Sequence, residues 1–107
     1  MLDIVKLREK LIDDLDVPKS AVEGIIEKVK KLQPDIAASF EKWFESGVID
    51  TIEIEGYTLD KLMGERKMNI VSAYLLLDWL KRDPDAARNA MSTREFANSA
   101  ATTHKKT

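Results

Sequence analysis

With 107 residues, 44% of them hydrophobic and 34% charged, the chain has apolar material for a single compact core in a single domain. Cysteine is absent, which excludes disulfides, thiolate metal sites and cysteine nucleophiles and fits a reducing compartment. The net charge of −2 divides into −5 over residues 1–87 (13 Lys/Arg against 18 Asp/Glu) and +3 over residues 88–107 (4 against 1), so an acidic body unsuited to attracting DNA or anionic membranes carries a short, solvated basic end.

The first helix is expected from about residue 3 to 15, with Ile4, Leu7, Leu11 and Leu15 on one face and Val5 and Ile12 widening it. Its opening, MLDIVKLREKL, mixes charge with apolar residues, unlike a signal peptide, and makes the cytoplasm the expected location. Asp16, Val17 and Pro18 break this helix. The second helix has two starts available: Pro18 in the first turn, or Ser20 as N-cap with Glu23 closing a capping box. Val22, Ile25, Ile26, Val29 and Leu32 follow at helical spacing, and Glu27 and Lys31 form a favourable i,i+4 pair on the opposite face.

Pro34 suits the first position of the third helix, Ile36, Phe40, Trp43 and Phe44 its buried stripe, and Gly47 its C-terminal cap. Ile52 and Ile54 then alternate with Glu53 and Glu55. With no second strand in view, the segment near 50–56 is expected as an extended connector pressing both isoleucines onto the helices. A strand supplied by a second copy of the chain is the lesser option.

A short fourth helix, Thr58 to about Glu65, is capped by Thr58, and residues 64–67 make the turn to a central helix at about 69–82 capped by Asn69. Its segment IVSAYLLLDWL, Ile70 to Leu80, is interrupted only by Ser72 and Asp78. A helix apolar on nearly all sides is wrapped by its own domain or completed by another chain. Asp83–Pro84 stops it. The alanine-rich sequence beyond carries a second capping box at Ser92 and Glu95 and has little to dock with, and residues 102–107 read as a disordered end. The expected fold is therefore all-α: one helical domain over residues 1–91, four to five helices around the central one, with a weakly helical to disordered tail over 92–107. Expected core residues are Leu11, Ile25, Ile26, Val29, Phe40, Phe44, Leu62, Ile70, Tyr74, Leu77 and Leu80.

Little in the sequence points to chemistry. The single histidine, His104, sits beside Lys105 and Lys106, a poor metal ligand. Neither Asp13, Asp14 and Asp16 nor Asp50, Glu53 and Glu55 has the ligand order of a calcium loop. Glycines are isolated, so no phosphate loop exists. No structured histidine is present to activate a hydroxyl nucleophile. Asp78 is expected on a narrow exposed stripe with Lys81 and Arg82; facing inward instead, it would need Arg66, Lys67 or the Tyr74 hydroxyl as partner. No enzyme activity, cofactor, metal or membrane span is expected.

Thr58, Leu62, Met68, Asn69, Ala73, Leu77 and Leu80 follow the spacing of a winged helix-turn-helix, and residues 58–80 resemble its helical half. The outward positions of the second helix, Val71, Ser72, Tyr74, Leu75 and Leu76, offer little to base edges. Arg66 and Lys67 remain as candidate phosphate contacts, which makes nucleic acid the alternative partner. The leading expectation is a non-catalytic protein-interaction or self-association module, a homodimer included, using Tyr74, Leu75 and Trp79 with Met68 at the rim. A small apolar ligand beside Trp43 or Trp79 is a third option.

Overall fold

The computed structural model describes residues 2–92, which contain six helices and one short hairpin. α1 (Ile4–Asp13) begins where the Asp3 carboxylate accepts the Lys6 amide N–H at 3.1 Å, satisfying one donor that a helix start leaves open. It stops at Asp13, short of Leu15, and Asp16 turns the chain in a left-handed conformation (φ 53°) ahead of Pro18.

α2 (Lys19–Lys30) starts directly after Pro18, whose φ of −58° is preset for a helix. Ser20 therefore falls inside the first turn and caps nothing. Glu23, freed from the expected capping box, pairs instead with Arg8 of α1, Nε to Oε1 2.7 Å. The expected Glu27–Lys31 pair does not form either. Lys31 lies past the last helical residue, and Glu27 meets Lys30 at 3.3 Å.

α3 (Pro34–Ser46) has Pro34 in its first turn and Gly47 at its end, where a φ of 77° lets the Gly47 N–H reach the Trp43 carbonyl at 2.7 Å. The segment after it is not a lone connector. β1 (Glu53–Ile54) pairs antiparallel with β2 (Tyr57–Thr58), Glu53 opposite Thr58 and Ile54 opposite Tyr57. Glu55 and Gly56 between them both have positive φ, 52° and 82°, the signature of a tight two-residue hairpin turn.

α4 (Leu59–Glu65) and α5 (Ile70–Arg82) start on their expected caps. The Thr58 hydroxyl accepts the Lys61 N–H at 3.2 Å, and the Asn69 side-chain oxygen accepts the Ser72 N–H at 2.8 Å. A further helix, α6, begins at Pro84 under an Asp83 cap on the Ala86 N–H and continues to Ser92, the last described residue. It docks more firmly than its alanine content suggests, because Ala87 and Met91 are both buried. Ser92 closes the described part of α6, while Glu95, the other half of the expected capping box, and the rest of the tail over 93–107 lie outside the described residues.

The described residues are all-α apart from the hairpin, and α5 is their spine. It packs on α3, α4 and β1, while α1 packs on α2. Tyr74, Leu77, Ala73 and Leu80 of α5 are fully enclosed, as are Leu7, Leu11, Ile36 and Leu62 from neighbouring helices. Each such side chain contributes about 1.5–3 kcal/mol on burial, alanine less. Phe40 anchors an aromatic cluster, edge-on to Tyr74 (ring centroids 5.2 Å apart) and to Trp43 (5.6 Å). Among the expected core residues, Ile25 and Phe44 are only half-buried.

Inside this cluster the Tyr74 hydroxyl donates to the Ser39 carbonyl at 3.1 Å and lies 2.8 Å from the Ser39 hydroxyl, which is itself buried. Tyr74→Phe is expected to cost about 1–2 kcal/mol, because it strands the Ser39 hydroxyl, read as a lower urea midpoint at unchanged slope. Burial also pushes the Tyr74 hydroxyl above its ordinary ionisation range. The stability tied to that shift is fully present below about pH 10 and is lost as pH rises through the raised folded value. Alkaline unfolding should therefore soften in Tyr74→Phe, and a pH profile identical to that of the native chain would show the pair contributes nothing.

Candidate functional site

The candidate site is a groove of about 480 Å³ between α2 and α5. Ser72, Leu75, Leu76, Trp79 and Arg82 line it from one side, a spacing of three and four residues that defines one face of α5. Ile25 and Lys28 of α2 face them, with Lys31 just beyond that helix and Met68 in the turn before α5. A helix face directed to water ordinarily carries charge. Here it carries two leucines and a tryptophan. Leu75, Leu76, Met68 and Ile25 are half-buried, and Trp79 is 42% exposed.

Of the four expected contact residues, the structure brings Met68, Leu75 and Trp79 together on this groove. Tyr74, expected both in the core and at the contact surface, lies in the core, and its place among the contact residues is corrected. It has no exposed surface, because it projects from the opposite side of α5 into the α3 aromatic cluster, so it offers nothing to a partner in this fold. Ile25 and Leu76 were not among the expected contacts, although the offset of about 100° between Ile25 and Ile26 on a helix is visible in the sequence.

Asp78 is the second correction. It is only 7% exposed and does not share an open stripe with Lys81 and Arg82. Nor are its partners Arg66, Lys67 or Tyr74. The Gln33 backbone N–H donates to Asp78 Oδ1 at 2.9 Å, and the Gln33 side-chain amide reaches the same oxygen and the Asp78 carbonyl, each at 3.3 Å. The other carboxylate oxygen takes Arg82 Nε at 2.8 Å. Arg82 in turn donates to the Lys31 carbonyl, closing an open acceptor at the end of α2. Lys81 pairs with Asp35 in the first turn of α3, holding that carboxyl below its ordinary range.

The end of α5 is thus tied by three contacts to the α2–α3 junction. Both Asp78 oxygens are engaged by Gln33 and Arg82, which gives the carboxylate a positioning role at this junction. Among the described residues, no buried side-chain nitrogen or oxygen lacks a partner, and no cluster of acidic or histidine side chains is arranged to hold a metal.

The candidate phosphate contacts are dispersed. The Arg66 guanidinium lies 5.8 Å from the centre of the Tyr57 ring, with Lys61 Nζ at 5.3 Å from the same ring. Lys67 is exposed in the turn at a φ of 57°. The helical pair α4–α5 exists as spaced, but seven of the thirteen α5 residues are buried, Val71 and Tyr74 included. The hairpin precedes the pair, and α6 follows it. Within the described residues, no helix is long and apolar enough to cross a membrane. No protein-family model, curated protein or solved structure matches the chain.

Removing the Asp78 carboxylate tests the anchor that shapes the groove. Asp78→Ala leaves the part-buried Gln33 N–H without its acceptor and removes one of the two acceptors of Arg82, and should cost about 2–3 kcal/mol in urea unfolding. Asp78→Asn, which keeps one acceptor oxygen, should cost about half as much. Equal and negligible losses in both would remove Asp78 as an anchor.

Proposed function

We propose that the protein is a non-catalytic interaction module whose contact surface is the α2–α5 groove. The observation that carries this is the apolar strip that half-buried Ile25, Met68, Leu75 and Leu76 form with exposed Trp79 along the groove. Apolar strips with a polar rim on an otherwise charged surface mark contacts with other macromolecules. A small-molecule site needs a few polar groups aimed into the cavity to fix orientation, whereas the one carboxylate here is already engaged through both oxygens by Gln33 and Arg82. The absence of cysteine suits a module working in a reducing compartment such as the cytoplasm.

Duplex reading through α4–α5 has less in its favour. The second helix of such a pair lies in the major groove and presents polar side chains to base edges. α5 would have to leave its own core to do so, and Arg66 sits on Tyr57.

Selecting displayed helix-forming peptides against the immobilised full chain tests the proposal. Amphipathic sequences should be enriched. Leu75→Glu, which places a charge on the groove floor, should weaken the winners by about thirty- to a hundredfold while leaving the circular dichroism spectrum unchanged. Enrichment of nothing above background, or of peptides indifferent to Leu75→Glu, would contradict it.

A further inference from the structure

We infer that the occupant of the α2–α5 groove is an amphipathic helix with acidic flanks, supplied by a different protein. This rests on the interaction reading above and adds the chemistry of the partner.

The shape points to a helix. The α5 side of the groove runs from Ser72 to Arg82, about 15 Å at 1.5 Å per residue, or close to three helical turns. That length accommodates anchors at i, i+3 or i+4, and i+7, the pattern with which a helix fills a groove. The lining is mainly apolar, through Ile25, Met68, Leu75, Leu76 and Trp79, which suits the stripe of such a helix.

Charge selects among the possible helices. Lys28, Lys31 and Arg82 stand on the rim, against the single carboxylate of Asp78. Asp78 is neutralised by Arg82, whereas neither Lys28 nor Lys31 has an ion-pair partner among the described residues. A locally cationic rim therefore surrounds an apolar floor on a body that is acidic overall. Two occupants from within this chain are mismatched to it. Residues 93–107 carry Arg94, Lys105 and Lys106 against only Glu95, the same sign as the rim. A two-fold pairing of grooves would bring two cationic rims into one interface, with no acidic residue lining either groove except Asp78, which Arg82 already pairs. Glutamate or aspartate flanking the apolar stripe of a foreign helix meets neither obstacle and gains complementarity.

Trp79 on the groove supplies a native probe, and Trp43→Phe in the full chain makes it the sole tryptophan. Three synthetic helices with one shared apolar face and flanks of Glu, Gln or Lys are titrated against this protein, following Trp79 emission. The Glu helix should shift the emission to shorter wavelength and bind about tenfold tighter than the Gln helix, with the Lys helix weakest. Added salt should narrow the spread, and Lys28→Glu with Lys31→Glu should reverse the order. Equal binding by all three helices overturns the acidic-partner inference and leaves the interaction reading standing. Binding by none overturns both. Sedimentation showing a dimer that Leu75→Glu dissociates would assign the groove to a second copy and overturn the inference. Trp79 emission that moves to longer wavelength in Phe96→Asp would assign it to the chain's own end, with the same consequence.

Discussion

The rotation of α5 about its axis decides everything else in this fold, and two polar side chains one turn apart set it. Tyr74 is held by Ser39 in the middle of α3, and Asp78 is held by Gln33 at its start. Residues four apart lie on the same helix face, so these two bonds pin one side of α5 along α3. Rotating the helix to bury its leucines more evenly would strand a buried hydroxyl and a nearly buried carboxylate. Such stranding costs about 1–3 kcal/mol per group, more for a carboxylate, because unsatisfied buried groups lose their full hydration. Once that face is fixed, Leu75, Leu76 and Trp79 have nowhere to go but the groove.

The same junction explains why the groove has a charged rim. α2 ends at Lys30, and its last carbonyls need donors. Arg82 supplies one to Lys31 while remaining paired with Asp78. Lysines are favoured at that helix end by its partial negative charge, so Lys28 and Lys31 gather at the place where the apolar strip emerges. A structural requirement of the helix terminus thus furnishes the electrostatic character of the candidate contact surface. Exposed lysines of this kind add little to stability, which leaves them able to discriminate between partners.

Helix positions were legible in the sequence because they rest on local chemistry. Thr58, Asn69, Pro34 and Gly47 each act within one turn of their own residue. The hairpin was obscured because its second strand is only Tyr57–Thr58, and Thr58 doubles as the α4 cap. The positive φ of Glu55 is not signalled by a glutamate. The double assignment of Tyr74, to core and contact surface, and the exposed placement of Asp78 have a different reason. A helix with apolar residues on nearly every side has no clear periodicity from which to read the buried face, and the deciding partners, Ser39 and Gln33, lie 35 and 45 residues away. Long-range hydrogen bonds of this sort have no sequence pattern. The groove itself was half visible: the excess of apolar residues over available neighbours was evident, and its location was not.

The chain's lack of cysteine permits a direct measurement of which side of α5 meets water. Single substitutions Leu75→Cys and Trp79→Cys, beside Ala73→Cys and Leu77→Cys, are reacted in the full chain with a thiol reagent under native conditions. Labelling at 75 and 79 should approach the rate seen in denaturant, while 73 and 77 should react only as fast as the protein unfolds. Protection at 75 and 79 equal to that at 73 and 77 would contradict the account, since α5 would then have no open apolar face.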